Sequence, residues 1–115
     1  MAGQDTQGTI TYMAPEMLVS GHFFDAQIDA WSLGILLCKM LTGRAPFQGR
    51  NDAQVAKKIV RKGIDFMENY WNAVSIEAQD VIENLLEKDP DQRMSILSLI
   101  NHSWVCNENP NDKMR

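Results

Sequence analysis

The sequence has little cysteine and no long hydrophobic run, and both shortages exclude classes of protein. Its two cysteines, Cys38 and Cys106, are too few for a disulfide framework and too far apart for a metal-binding motif. The N-terminal residues resemble no signal peptide, and the longest apolar run, in residues 28–41, is too short and too interrupted to span a bilayer. We therefore expect an intracellular, cytoplasmic protein in a reducing compartment, with no membrane partner.

The chain also lacks a surplus of positive charge. Its 11 Lys and Arg residues are outnumbered by 15 Asp and Glu residues, so the formal net charge at neutral pH is −4. Such a chain has no general attraction to phosphate backbones, and nucleic acid is not an expected partner. The 115 residues, 44% of them hydrophobic, are enough for one globular domain with its own core.

Helical patterning is what the sequence does contain, and no segment alternates apolar and polar residues as a strand does, so the expected fold class is all-α. Residues 26–41 are apolar on nearly every face, which predicts a helix buried in the middle of the domain and ended by Gly43. Shorter helices are predicted after Pro15, from the cap Asp52 to Lys62, from Ser75 to a point before Pro90, and from Ser95 to Trp104.

The fourth of these helices has the clearest periodicity. After Ser75, apolar residues recur with the spacing of one helical face, and these are Ala78, Val81, Ile82, Leu85 and Leu86. This stripe predicts the apolar face of an amphipathic helix.

Four motifs follow one another along the chain: "GTITYMAPE" at residues 8–16, "IDAWSLG" at 28–34, "DPDQR" at 89–93 and "NHSWV" at 101–105. In this order and spacing they resemble the C-terminal part of the large lobe of a eukaryotic protein kinase. The form of the first motif resembles serine/threonine kinases, and the helices resemble the calcium/calmodulin-dependent group, including the calcium-dependent kinases. The resemblance implies a partial kinase domain in residues 1–105 and a polar tail in residues 106–115.

The resemblance implies a substrate-binding role for the first motif. In the family, the threonine that matches Thr9 hydrogen-bonds the catalytic aspartate and lysine, and Gly8, Thr9 and Tyr12 belong to the loop beneath the substrate. Asp5 stands where many kinases carry a phosphorylated threonine and would mimic that phosphate, while Thr6 is the other phosphorylation candidate. Without the resemblance, Thr9 would be an ordinary loop threonine.

Five further residues are implied as an internal scaffold. The counterparts of Glu16 and Arg93 form a buried ion pair in the family, with a solvated Arg93 as the alternative. The counterpart of Asp29 organises the catalytic loop. From the sequence alone Asp29 is a carboxylate in the first turn of an apolar helix, which needs hydrogen-bond donors or acts on the helix dipole. Trp31 and Gly34 are interpreted as packing residues of this active-site scaffold.

Other kinase motifs do not occur in these residues. There is no glycine-rich "GxGxxG", no "VAIK", no "HRD" and no "DFG", the segments that hold ATP, Mg²⁺ and the catalytic aspartate in kinases. We therefore expect a fragment that is not catalytically competent alone, with no cofactor or metal of its own, whereas the full family domain uses ATP and Mg²⁺. Its expected partners are a protein substrate or the missing part of the kinase domain, and alone it should expose apolar surface on the helix at 26–41.

Two alternatives remain open from the sequence. The first is a non-catalytic, pseudokinase-like binding module that docks a substrate or regulator, with the helix at 52–62 as one docking surface. The second is a structural helical domain whose motif matches are accidental. His22 and His102 have no neighbours at metal-ligand spacing and predict no metal site.

Overall fold

The structure, a computed structural model, describes residues 10–20 and 25–106. The helices in these ranges are α1 (Pro15–Ser20), α2 (Ala26–Thr42), α3 (Asp52–Arg61), α4 (Ile76–Leu85), α5 (Ile96–Ile100) and α6 (Ser103–Cys106), with a 3₁₀ turn at Asn69–Trp71. The described residues include no strand, which confirms the all-α prediction. None of their helices combines the length and the apolar character that crossing a membrane requires.

The long helix α2 is bounded by two capping residues. At its start the Asp25 carboxylate accepts hydrogen bonds from the backbone N–H groups of Gln27 and Ile28, which would otherwise have no partner in the first turn. At its end Gly43 adopts a left-handed conformation with φ of 78° and its N–H donates to the Lys39 carbonyl. Glycine adopts this φ without steric cost, so the predicted end of the helix is confirmed.

Helix α4 packs directly on α2, and the closest approach is at Gly34. A Cβ atom built on Gly34 would lie 2.8 Å from Leu86 Cδ2 and 2.9 Å from Leu85 Cβ, distances at which carbon atoms clash. The five apolar residues of the predicted α4 stripe are all buried, and Ser75 caps the helix by accepting from the Ala78 N–H at 3.1 Å. The apolar face and the Ser75 cap predicted for α4 are therefore confirmed.

Two predicted helix boundaries are wrong. Asn51, not Asp52, is the N-cap of α3, since its side-chain oxygen accepts from the Gln54 N–H. The predicted helix at 95–104 is two short helices, α5 and α6. His102 lies between them, and its Nδ1 accepts from the Trp104 N–H, which gives α6 a side-chain cap of its own.

Helix α2 exposes part of its apolar surface, as expected of these residues without the rest of a kinase domain. One side carries the buried residues Ile28, Ala30, Trp31, Gly34, Ile35 and Cys38. On the opposite side Leu36 is 43% exposed and Met40 is 69% exposed, and Leu41, near the end of the helix, is 40% exposed. An apolar helix is covered only where other elements lie against it, and within the described residues α4 and α5 pack on the buried side of α2.

Candidate functional site

A bidentate ion pair joins the first motif to the third. Arg93 Nη1 lies 2.7 Å from Glu16 Oε2, and Arg93 Nη2 lies 2.9 Å from Glu16 Oε1. The Arg93 side chain is fully buried and the Glu16 side chain is 12% exposed. The planar guanidinium thus matches the planar carboxylate with two short, charge-assisted hydrogen bonds. The structure brings together two residues that are 77 positions apart in the sequence.

The remaining N–H groups of Arg93 are also satisfied, all of them by backbone carbonyls. Nε donates to the Glu87 carbonyl at 2.8 Å, Nη1 to the Gln27 carbonyl at 2.8 Å and Nη2 to the Lys88 carbonyl at 3.3 Å. With the two bonds to Glu16, all five donors of the guanidinium have partners. Arg93 therefore fastens α1 to the start of α2 and to the segment that follows α4.

Trp31 lies at the centre of the same cluster and is fully buried. Its ring stacks on Phe47 with centroids 5.9 Å apart and planes 8° apart. The Arg93 guanidinium lies 5.0 Å from the Trp31 ring centroid and the Lys88 ammonium lies 5.6 Å from it. These distances are those of cation–π contacts, which gain strength when the cation is removed from water. The predicted packing residue thus contacts both cations of the cluster.

Lys88 is the second cation of the cluster. Its Nζ donates to the Ile59 carbonyl at 2.6 Å and lies 4.7 Å from the Phe47 ring centroid. Burial lowers the pKa of Lys88 to about 8, with nearby Glu87 raising it and Arg93 lowering it further. Desolvation disfavours the charged ammonium, and the positive charge of Arg93 acts in the same direction.

This lowered pKa predicts a dependence of stability on pH. Because the ordinary lysine pKa is 10.5 and the folded-state value is about 8, the unfolded chain binds more protons between these two pH values. Lys88 therefore contributes a rise in the free energy of unfolding as the pH increases from about 8 to about 10.5. The rise is smaller than full linkage would give because the side chain is only half-buried.

The measurement is urea denaturation of the wild-type chain and of Lys88→Met at a series of pH values. Methionine keeps the apolar stem without a titrating amine, so the difference in unfolding free energy between the two proteins isolates the lysine. We expect that difference to change in favour of the wild type as the pH rises through the stated range. If the unfolding free energies of the two proteins changed with pH in parallel, the lowered pKa of Lys88 would be contradicted.

The other site residues predicted from the sequence divide into two groups. Tyr12 is half-buried, its hydroxyl accepts a hydrogen bond from Lys39 Nζ at 3.0 Å, and its carbonyl accepts from Ser32 Oγ at 3.3 Å. Asp29 lies in the first turn of α2 and is exposed, so the expected cost of desolvating its carboxylate does not arise in this chain. The remaining predicted residues, Asp5, Thr6, Gly8 and Thr9, lie outside the described residues.

Sequence reasoning missed two participants in the cluster. Gln27 accepts from Arg93 through its carbonyl, while its side-chain amide donates to the carbonyls of Pro90 and Arg93. Lys88 had no distinguishing signal, because one lysine in a polar turn resembles any solvated lysine. The hydrogen bonds of both residues involve backbone carbonyls. A residue pattern does not reveal where those carbonyls lie.

Metal binding has no support in the described residues. They include no group of three or more His, Cys, Asp or Glu side chains placed to hold a metal ion. His102, predicted to be isolated, lies 2.7 Å from Asp80 Oδ2 through its Nε2, at an exposed position. This pair links the residue before α6 to α4. The described residues include no ligand set for the Mg²⁺ of kinases.

Comparison with known proteins identifies relatives over nearly the whole chain. A family model described as "Protein kinase domain" matches residues 2–105. Myosin light chain kinase A of Dictyostelium discoideum is 34% identical over 109 residues, which are 95% of this chain and 37% of the relative. Calcium-dependent protein kinase 8 of Arabidopsis thaliana is 38% identical over 100 residues, 87% of this chain and 18% of the relative. The chain therefore spans well under half the length of these relatives.

Solved structures show the same fold. The twitchin kinase fragment of C. elegans, an autoregulated protein kinase with immunoglobulin domains, matches with a TM-score of 0.80 and 30% sequence identity. The match covers 90% of this chain and 23% of that one. A longer twitchin kinase region from C. elegans matches with a TM-score of 0.79, also at 30% identity. The arrangement of helices around the Glu16–Arg93 pair is thus one found in kinase structures.

Proposed function

Because the chain belongs to the protein kinase family and is similar to kinases of the calcium/calmodulin-dependent group, we propose that it is the C-terminal part of the large lobe of a serine/threonine kinase and forms the platform beneath the substrate in a larger kinase domain. In this role residues 1–105 contribute the substrate-binding end of the activation segment and the helices that support it, and residues 106–115 form a polar tail. ATP and Mg²⁺ would be held by other parts of that domain.

The observation that carries this proposal is the cluster around Arg93. The guanidinium holds α1, which follows directly on the substrate-loop motif, against α2 and the end of α4 through five hydrogen bonds. A loop that must present a substrate needs a rigid base, because small displacements of reacting groups lower the rate strongly. Glu16 and Arg93 are therefore positioning residues, whereas Gly8, Thr9 and Tyr12 are the proposed substrate contacts.

The exposed side of α2 supports the same proposal. Leu36 and Met40 form an apolar surface on a helix whose opposite side is a packed core. Apolar surface of this kind is covered in stable proteins by a further element. Asp29 lies in the first turn of the same helix and is exposed as well, where its carboxylate is available to the backbone of another segment.

A chimaera tests the proposed role. The segment of Arabidopsis calcium-dependent protein kinase 8 that this chain matches would be replaced by residues 1–105, and phosphorylation of a peptide substrate would be measured beside the free 115-residue chain. We expect the chimaera to transfer phosphate and the free chain to show none. In the chimaera, Thr9→Ala should lower kcat/KM by at least about tenfold, which corresponds to one lost hydrogen bond to a charged group.

The matched control is Thr42→Ala, at a threonine that bonds within its own helix end and far from the substrate-loop motif in sequence. Its activity should stay close to that of the parent chimaera. Phosphate transfer by the free chain, lost on Thr9→Ala, would show that the residues are competent alone and would refute the proposal. A folded chimaera that binds ATP but is unaffected by Thr9→Ala would refute the substrate-contact role.

A further inference from the structure

Positive charge is concentrated on one short segment of this acidic chain. Residues 50–62 contain five Lys and Arg residues and a single carboxylate, although the whole chain has a formal net charge of −4. Helix α3 provides most of this segment, and its Val55 and Ile59 are buried against the core. The basic residues lie on the solvent side, and we refer to Lys57, Lys58, Arg61 and Lys62 as the α3 basic face.

The α3 basic face carries a shallow, open depression. A cavity of about 460 Å³ is lined by Gln54 and the four basic residues of the face, mainly by their carbon atoms. Long basic side chains present apolar stems and a charged end in this way. A ligand here would contact methylene groups along the helix and ammonium or guanidinium groups at the rim.

The positive charges of this face have few partners inside the protein. Among the described residues, the structure shows no carboxylate in an ion pair with Lys57, Arg61 or Lys62. Lys58 differs from these three residues because its Nζ has a hydrogen-bond partner, the Gln48 carbonyl. Helix α3 also directs the negative end of its dipole toward Arg61 and Lys62, which is a stabilising position for them.

Acidic residues border the face and limit what it can bind. Glu83 on α4 and Glu87, two residues after the end of α4, line a second cavity together with Gly63 and Ile64, which follow directly after the face. These carboxylates continue an exposed acidic row that includes Glu77 and Asp80 on α4. A long uniform polyanion, such as a nucleic acid or an anionic bilayer, would extend from the basic face onto this acidic row and be repelled.

We propose that the α3 basic face docks a short acidic segment of a protein partner. The best-matched segment carries carboxylates on one face of a helix, at positions i, i+3, i+4 and i+7, because Gln54, Lys57, Lys58 and Arg61 follow that spacing. Its apolar side chains would contact the stems that line the cavity. This docking does not depend on phosphoryl transfer or on the Arg93 cluster. Its test is therefore independent of the test of the proposed platform role.

The test measures binding of a fluorescent helical peptide that carries glutamates at this spacing to the full 115-residue chain, by anisotropy. We expect binding that weakens as salt is added, and a peptide with glutamine in place of glutamate should not bind. The double variant Lys57→Gln/Arg61→Gln should bind about threefold to tenfold more weakly, as expected for the loss of two exposed ion pairs. Both residues are exposed, so the variant should unfold like the wild type.

The matched control makes the same change in net charge elsewhere. Ile76 is 81% exposed and Leu97 is 71% exposed, each in the first turn of a helix. Ile76→Glu/Leu97→Glu lowers the net charge by the same amount as the double variant, at positions where a carboxylate suits the helix dipole. Its affinity for the peptide should stay within about twofold of the wild type, which is well below a tenfold change in Kd.

A second measurement needs no variant. Zero-length carbodiimide coupling of the bound peptide should place its carboxylates on Lys57 and Lys62, and not on Lys39, which lies on α2. Coupling spread evenly over all lysines would overturn the proposal, and so would equal weakening by the control variant. Stronger binding of a single-stranded oligonucleotide than of the peptide would assign the face to phosphate instead. Self-association lost on Glu83→Gln/Glu87→Gln would assign it to a second copy, and both results would refute the proposed partner.

Discussion

Glu16→Ala should lower the free energy of unfolding by about 3–5 kcal/mol, the range measured when one partner of a buried ion pair is removed. The loss is large because the Arg93 guanidinium cannot move into water when the Glu16 carboxylate is removed. Its side chain is fully buried and held by the carbonyls of Gln27, Glu87 and Lys88. An uncompensated guanidinium would then remain in the interior. Urea denaturation followed by tryptophan fluorescence measures the effect.

The chain itself contains a matched control. Asp80 Oδ2 lies at the same distance, 2.7 Å, from His102 Nε2, but the Asp80 side chain is 53% exposed. Exposed pairs contribute about 0–1 kcal/mol, so Asp80→Ala should cost no more than that. A double-mutant cycle with Arg93→Met isolates the coupling between Glu16 and Arg93. If Glu16→Ala and Asp80→Ala destabilised the protein equally, burial would not be what gives the first pair its importance.

Trp31→Ala should destabilise the fold by about 3–5 kcal/mol, as large-to-small changes of buried aromatic residues do. Trp31 is fully buried, stacks on Phe47 and lies beneath both Arg93 and Lys88. Its removal would leave a cavity and also take the aromatic face away from two cations. The measurement is the same urea denaturation, reported by the far-ultraviolet circular dichroism because the variant lacks one fluorophore.

Two further variants separate these causes. Trp31→Phe keeps an aromatic face for the cations and should lose less stability than Trp31→Leu, which fills space without one. Trp104, which is only partly buried, gives the position control, and Trp104→Ala should cost clearly less than Trp31→Ala. Equal losses for the phenylalanine and leucine variants would show that volume alone matters and that the cation–π contacts contribute nothing measurable.

Prediction from the sequence succeeded where one local pattern decides the outcome. The apolar stripe of α4 identified its buried face because helical spacing places those residues on one side, whatever the rest of the protein does. Gly43 and Ser75 were correctly identified as caps since the need they meet arises within one helical turn. The order of four motifs identified the family.

Prediction was incomplete where the outcome depends on segments that are distant in the chain. The apolar pattern of α2 predicted a core helix that exposes apolar surface in this chain, but it did not identify the exposed side, on which Met40 is 69% exposed. Composition states which surfaces favour burial and not which of them have a partner. Likewise the break between α5 and α6 depends on the ring of His102, which caps one helix while it contacts Asp80 on another.

The sequence by itself determined the family, the helical class, most helix ends and the buried side of α4, because each follows from residues close together or from motifs read in order. Only the tertiary structure decided that all five donors of Arg93 are satisfied, that Lys88 is a partly buried cation with a lowered pKa, and which side of α2 faces solvent. Those properties depend on backbone carbonyls and aromatic faces that distant segments bring together. A carbonyl has the same chemistry in every residue, so its position carries no mark in the sequence.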